Sequence, residues 1–282
     1  MNIYYMGVAA NLGINILGAL SVYIIMRSGQ ISVGNAGFMA VGAYCSAILS
    51  SNYGLPIPVA ILLGGALAAL SGFVIGVPAL RLQGTYLVIG TISFTAMIRS
   101  LAQVLEITGG AMGFRGIRHI SVAMIFAFVL LVIVLLRAFE RTRVGLSMRA
   151  VAADEQAAGA AGVNVVAIKV FSFVAGAGIA GIGGGCYAHW AQYIEPGDFT
   201  TTVSTMMVLP VVLGGPRRIL GAVVGAAVFT LLPELLRFAS TWRMILYGAL
   251  VILIVICRPD GLVPAKIRLP KIALGKLRRK KK

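Results

Sequence analysis

Charge is the first thing this 282-residue sequence lacks. Asp, Glu, Lys and Arg together make up 11% of it, and only eight residues are acidic. A soluble domain carries about a quarter of its residues as charged side chains. So few charges cannot cover the surface of a globule, which argues against a soluble enzyme. The two histidines, His119 and His189, have no Ser, Asp or Glu neighbours of the kind an intramembrane catalytic set needs. Cys45, Cys186 and Cys257 lie far apart in apolar runs and suggest neither a disulfide framework nor a ligand cluster. No GxxxxGK[ST] loop is present, so the chain has no phosphate cradle of the usual kind. No Lys or Arg precedes Arg27, so the first apolar run lacks the basic flank of a secretory signal and reads as a permanent span.

Apolar length fills the space. The chain is 59% hydrophobic, with 35 glycines and a mean hydropathy of +0.97. A helical crossing takes about 20 mostly apolar residues. Runs of that kind predict crossings at 4–26, 32–51, 56–79, 84–104, 120–139, 168–190, 201–215, 219–237 and 243–257. The expected fold class is therefore all-α: a polytopic transmembrane helical bundle of about eight to ten spans, short or broken helices included. Segment 32–51 opens on the polar, Gly-rich SVGNAGF and segment 201–215 is short, so either can be a broken or re-entrant helix. Residues 1–263 form the membrane domain, and 264–282 a basic tail.

The tail orients the rest. Nine of the 24 bases fall in the last 17 residues, where no acid occurs. A basic tail after an apolar chain marks the cytoplasmic side rather than nucleic-acid binding. With Arg27 inside, alternation leaves only Arg99, Arg115, Arg118, Arg237 and Arg243 outside. The positive-inside rule favours that assignment, with the N-terminus external and the C-terminus cytoplasmic.

Small residues recur at helix-packing intervals, Gly181 with Gly185 and Gly221 with Gly225. Gly176, Gly178 and Gly181 formally spell GxGxxG, but their apolar flanks read as one helix and not as a dinucleotide-binding turn. No cofactor or metal site is expected. Two Gly-containing breaks, around Asn35 and Gly37 and around Asp198, precede apolar stretches from opposite sides. They are either chance turns or the broken helices of an inverted repeat lining a pathway. Between residues 140 and 168 lies the one sizeable polar island. Its Ala-rich periodicity from Arg149 to Ala161, stopped by Gly162, suits a short surface helix that either simply connects spans or docks a cytoplasmic partner.

That island, VGLSMRAVAADEQAAGAAGVNV at 144–165, resembles the cytoplasmic loop of branched-chain amino acid permeases of ABC importers, the LivM-type subunit. The runs SGQISVGNAGFMAVGAY (28–44), ALRLQGTYLVIGTISF (79–94), ITGGAMGFRGI (107–117), YIEPGDFT (193–200), VVLGGPRRILGAVVGA (211–226), LLPELLR (231–237) and RPDGL (258–262) are similar to that family in order. The resemblance implies a transport subunit and not an enzyme. It would sit in a bacterial inner membrane and pair with a second permease, two cytoplasmic ATPase subunits and an external solute-binding protein. It also implies that Arg149, Asp154, Glu155, Ala157, Ala158 and Gly162 receive the ATPase, although the family's Glu-Ala-Ala pattern is matched only loosely. Arg115 and Arg118, with Arg237 and Arg243, either dock the binding protein or anchor the membrane interface. Related permeases carry branched-chain amino acids, urea or short amides. An ion-coupled transporter, the competing class, would carry intramembrane carboxylates, and the acids here cluster at predicted span ends.

Overall fold

The unbroken apolar run that begins the chain ends at Arg27, and so does its helix. In the computed structural model, which describes residues 3–79 and 84–235 together with Gly248, Ile252, Ile256, Gly261 and Leu262, α1 spans Ile3–Met26. Then follow α2 at Asn35–Ser51, α3 at Ile57–Ala79, α4 at Thr85–Val104 and α5 at Val122–Glu140. Two short helices, α6 at Arg143–Ala153 and α7 at Glu155–Ala160, lead into the 27-residue α8 at Val165–Ala191. The described helices end with α9 at Thr201–Gly214 and α10 at Ile219–Leu235. Arg81, Arg237, Arg243, the tail 264–282 and most of the expected crossing 243–257 lie outside the described residues.

Helices α1, α3, α4, α5 and α8 are each long and apolar enough to cross a membrane. Helices α9 and α10 form one bent unit, their axes turned by 118° at Gly215 and Pro216. The expected separate crossings at 201–215 and 219–237 are thus two arms of a V. Its apex needs glycine, because a Cβ on Gly214 would lie 1.8 Å from the Gly221 carbonyl oxygen. Gly225 meets the Pro210 carbonyl as closely, so the Gly221/Gly225 pair does pack a helix, its own neighbour.

For segment 32–51 too, the broken alternative is the one observed. Residues 30–34 are not helical, and the 17 residues of α2 reach only about 26 Å. Hydroxyls satisfy the buried backbone there instead of a helix: Val33 N–H donates to Thr91 Oγ1 at 3.2 Å and Gly34 N–H to Ser32 Oγ at 3.2 Å. Helix α2 therefore starts beside the seventh residue of α4, inside the bundle.

Helix α8 is the hub. It packs on α1, α2 and α3, and small residues on every face admit them. Gly176 meets Ile25 of α1, Gly184 meets Met39 of α2 and Gly181 meets Ala68 of α3. The GxGxxG spelling is helix packing. Exchanging α1 with α8, α2 with α9 and α3 with α10 maps the principal contacts onto one another, since α1 likewise packs on α9 and α10, and α9 on α10. Helices α1 and α8 run in opposite directions, so the two three-helix sets are inverted. Exposed Leu, Val, Ile and Phe side chains cover the outside of α3, α4 and α5, as lipid-facing helices require.

The two ends differ. At one, Arg27, Arg137, Arg149, Arg217 and Arg218 surround a common cavity. At the other, β1 at Phe114–Arg115 pairs antiparallel with β2 at Tyr193–Ile194, a ribbon that no strand pattern in the sequence announces. Among the described residues, Arg27, Arg137, Arg149, Arg217 and Arg218, which alternation assigns to one side, share an end.

Candidate translocation pathway and coupling segment

The chain leaves α8 through Gln192, in a left-handed conformation, and turns into the bundle at Pro196–Asp198. The turn is locked reciprocally. Glu195 N–H donates to Asp198 Oδ2 at 3.1 Å, and the Glu195 side chain accepts from the Asp198 backbone. Asp198 is thereby held half-buried on the wall of a cavity of about 410 Å³. Tyr187 lines the same cavity as Asp198. The other walls are Asn11, Ile14 and Asn15 of α1, Met39 of α2, Met206 and Met207 of α9 and Phe229 of α10. Those elements are where the two inverted sets meet. One carboxylate and two carboxamides thus face thioether, aliphatic and aromatic groups in one space.

Asn35 and Gly37 lie elsewhere. Asn35 is fully buried, its Nδ2 donating to Ser21 Oγ of α1 at 2.8 Å. Gly37 lets α2 approach Phe94 and Thr95 of α4. The two sequence breaks nevertheless converge, because Ala36 N–H at the start of α2 donates to Ser204 Oγ of α9 at 2.9 Å.

The polar island forms two helices where one was expected between Arg149 and Ala161. Asp154 is the reason: its backbone is extended, and its Oδ1 accepts from Gln156 and Ala157 N–H at 2.9 and 3.0 Å. Gly162, at φ +83°, closes α7, with Val163 N–H returning to the Ala158 carbonyl. Glu155 pairs with Lys169 of α8. Asp154, Glu155, Ala157 and Gly162 are exposed, whereas Ala158 turns inward and is buried. Arg149 lies apart from them, on the wall of the arginine cavity.

At the ribbon end Arg115 and Arg118 are both exposed, the Arg115 guanidinium standing 5.3 Å over the Tyr193 ring. The Arg118 carbonyl has a structural task that its side chain does not share. His189, beside Trp190, reads from sequence as an interfacial residue, but it is fully buried. Its Nδ1 lies 2.8 Å from the Arg118 carbonyl and its Nε2 2.9 Å from Ser46 Oγ. A carbonyl only accepts, so Nδ1 carries the proton and Nε2 accepts from the serine hydroxyl. Trp190 instead packs on His119. No local pattern announces this clamp, since its three residues come from α2, the loop before α5, and α8. His189→Phe leaves both partners unsatisfied and is expected to cost about 1–3 kcal/mol. Ser46→Ala removes one bond only and should lower the detergent melting temperature less.

Among the described residues no group of three or more His, Cys, Asp or Glu gathers to hold a metal.

A multi-pass helical bundle with a mixed polar and apolar cavity between inverted halves is the architecture of a membrane transport subunit. The chain belongs to the branched-chain amino acid transport system permease family, whose model matches residues 4–255. It is 31% identical to the high-affinity branched-chain amino acid transport system permease protein LivM of Salmonella typhimurium, over 88% of this chain and 67% of that one. LivM of Escherichia coli matches with the same figures. The probable branched-chain amino acid transport permease protein LivH of Methanocaldococcus jannaschii is 28% identical over 51% of this chain and 45% of its own. These relatives are permease proteins of transport systems, not enzymes. No solved structure matches the chain.

Proposed function

We propose that this chain is one permease subunit of an ATP-driven ABC importer of branched-chain amino acids in a bacterial inner membrane. In this reading a second, similar permease completes the pathway, two cytoplasmic ATPases drive it and an external solute-binding protein delivers substrate. The likeness to both LivM and LivH proteins supports a pair of different permeases. The arginine-rich end faces the cytoplasm, so α6 and α7 present Asp154, Glu155, Ala157 and Gly162 to the ATPase. The ribbon end faces outward, where Arg115 and Arg118 meet acidic groups of the binding protein. The basic tail 264–282 is then cytoplasmic.

The observation that carries this reading is the Asp198 cavity. A branched-chain amino acid is a zwitterion with a short aliphatic group. Asp198 suits its ammonium, Asn11 and Asn15 its carboxylate, and Ile14, Met39 and Met207 its side chain. A neutral amide such as urea would leave the carboxylate and the apolar wall unused. Asp198→Asn keeps an acceptor for Glu195 N–H and removes the charge. Loss of one charged hydrogen bond, about 1.5–3 kcal/mol, should lower leucine uptake into vesicles about tenfold or more. Wild-type leucine uptake by this variant would reduce Asp198 to a turn residue. Transport of urea in place of leucine would overturn the substrate.

A further inference from the structure

Helix α4 is the least apolar of the five crossing helices, and its polar residues are not scattered. Thr91, Thr95, Arg99 and Gln103 recur at four-residue steps and share one side of the helix, with Ser100 beside them. Arg99, Ser100 and Gln103 are exposed. At a rise of about 1.5 Å per residue, Arg99 stands about 8 Å before the end of α4. Lipid does not accept a guanidinium, a hydroxyl and a carboxamide on one side of a span, so in the membrane this side of α4 meets water or protein. Met97 and Leu101, on the opposite side, are exposed and apolar, as lipid contact requires.

The polar side is concave. Thr95, Arg99, Ser100 and Gln103 enclose, with Thr200 and Thr201 at the start of α9, a cavity of about 300 Å³, the lower end of the roughly 300–1,000 Å³ of ligand pockets. Among the described residues no acid lines it, and Arg99 forms no ion pair. Thr95 donates to the Thr91 carbonyl, and the other polar side chains of the wall supply a guanidinium, hydroxyls and a carboxamide as donors. Thr200, the N-cap residue of α9, makes no side-chain capping bond, so the first N–H groups of that helix add to the donors. We propose that this cavity binds the carboxylate of the amino acid on its way to the Asp198 cavity, with Arg99 as the partner of the negative charge.

Adjacency selects a zwitterion's carboxylate over an unrelated anion. Gly197 and Asp198 line the Asp198 cavity, and the next three residues, Phe199, Thr200 and Thr201, line this one. Successive Cα atoms are about 3.8 Å apart, so those of Asp198 and Thr200 are separated by at most about 7.6 Å. Phe199 is buried, and its ring packs on Tyr187, a wall residue of the Asp198 cavity, with centroids 6.1 Å apart. An aromatic contact thus stands between a site for a positive group and a site for a negative one, the two charges an amino acid carries. The end of α4 leads into the ribbon, so the cavity lies toward the side from which the binding protein delivers substrate. The inference deepens the transport reading and rests on it.

The test uses the full chain in vesicles, its three native cysteines replaced by alanine, with Ala96→Cys on the cavity wall or Met97→Cys on the lipid side. Each is labelled with the anionic sulfonatoethyl or the cationic trimethylammonioethyl methanethiosulfonate, and rates are taken relative to free cysteine. Ala96→Cys should favour the sulfonate about tenfold, Arg99→Gln should abolish that preference and Arg99→Lys should keep it. Met97→Cys should react with neither reagent. Leucine in excess should slow labelling of Ala96→Cys, and leucinamide, which lacks the carboxylate, should not. Equal inertness of Ala96→Cys and Met97→Cys would put this side of α4 in lipid and overturn the proposal. So would protection by both ligands or by neither, even where the complete wild-type assembly accumulates leucine and the transport reading stands. If leucine gives no protection and Arg99→Gln weakens capture of the binding protein, Arg99 is a docking residue and the proposal fails. A complete wild-type assembly that accumulates no leucine would overturn the transport reading, and this inference with it.

Discussion

Gly184→Ala is expected to abolish the monodisperse folded protein, although it adds one methyl group. A Cβ at that position would lie 2.0 Å from the Met39 carbonyl oxygen of α2, and one on Gly42 of α2 would lie 2.2 Å from the Gly181 carbonyl oxygen of α8. In both cases the obstacle is backbone on another helix, so no rotamer change relieves it and the helices must part. In water the hydrophobic effect would hold loosened helices together. In lipid it does not, and the lost contact is the attraction itself. Overpacking costs about 1–3 kcal/mol even in soluble cores, occasionally more. Gly7→Ala on α1, with no atom within 4 Å of the added Cβ, is the matched control. Melting in detergent and size-exclusion profiles should separate the two variants clearly. A wild-type melting temperature for Gly184→Ala would mean that α2 and α8 are not in this contact.

The second large effect concerns adjacent alanines on α7. Ala157 is exposed and Ala158 buried, so tryptophan at each should fail for a different reason. Ala157→Trp has room in the isolated subunit and should melt like wild type. If α7 seats against an ATPase, the indole occupies the contact and should lower ATP-driven uptake about tenfold or more, the equivalent of about 1.4 kcal/mol in docking. Ala158→Trp should unfold the segment whether or not a partner binds there. Normal uptake by Ala157→Trp would remove α7 from the coupling surface. Asp154 is less informative, because its carboxylate caps α7 and charge reversal there removes the cap along with any contact.

Long apolar runs made most of the bundle legible. Helices α1, α3, α4, α5 and α8 begin and end within a few residues of the expected limits, because lipid leaves a spanning backbone almost no alternative to helix. Glycine spacing likewise announced the tight packing of α8 and of α10. What stayed hidden depends on contacts between distant segments. The late start of α2 is set by the Thr91 hydroxyl, fifty-eight residues away. The β ribbon joins two-residue pieces that carry no strand pattern of their own. The break at Asp154 was in principle readable, since an Asp two and three residues before free N–H groups is an N-cap signature, but the alanine periodicity on both sides masked it. Of the candidate pathway residues Asn35, Gly37 and Asp198, only Asp198 lines the cavity, while Asn35 serves the contact between α1 and α2 and Gly37 that between α2 and α4. The arginine cavity was invisible for the plainest reason: its residues are single bases at the ends of different helices, and only folding brings them together.

Co-reconstitution in vesicles tests the central reading most directly. The full chain would be inserted with its partner permease, ATPases and binding protein, and each component then left out in turn. Accumulation of leucine against its gradient should require ATP and every component, and the chain alone should give none. Uphill leucine accumulation by this chain alone, without ATP, would contradict the reading outright.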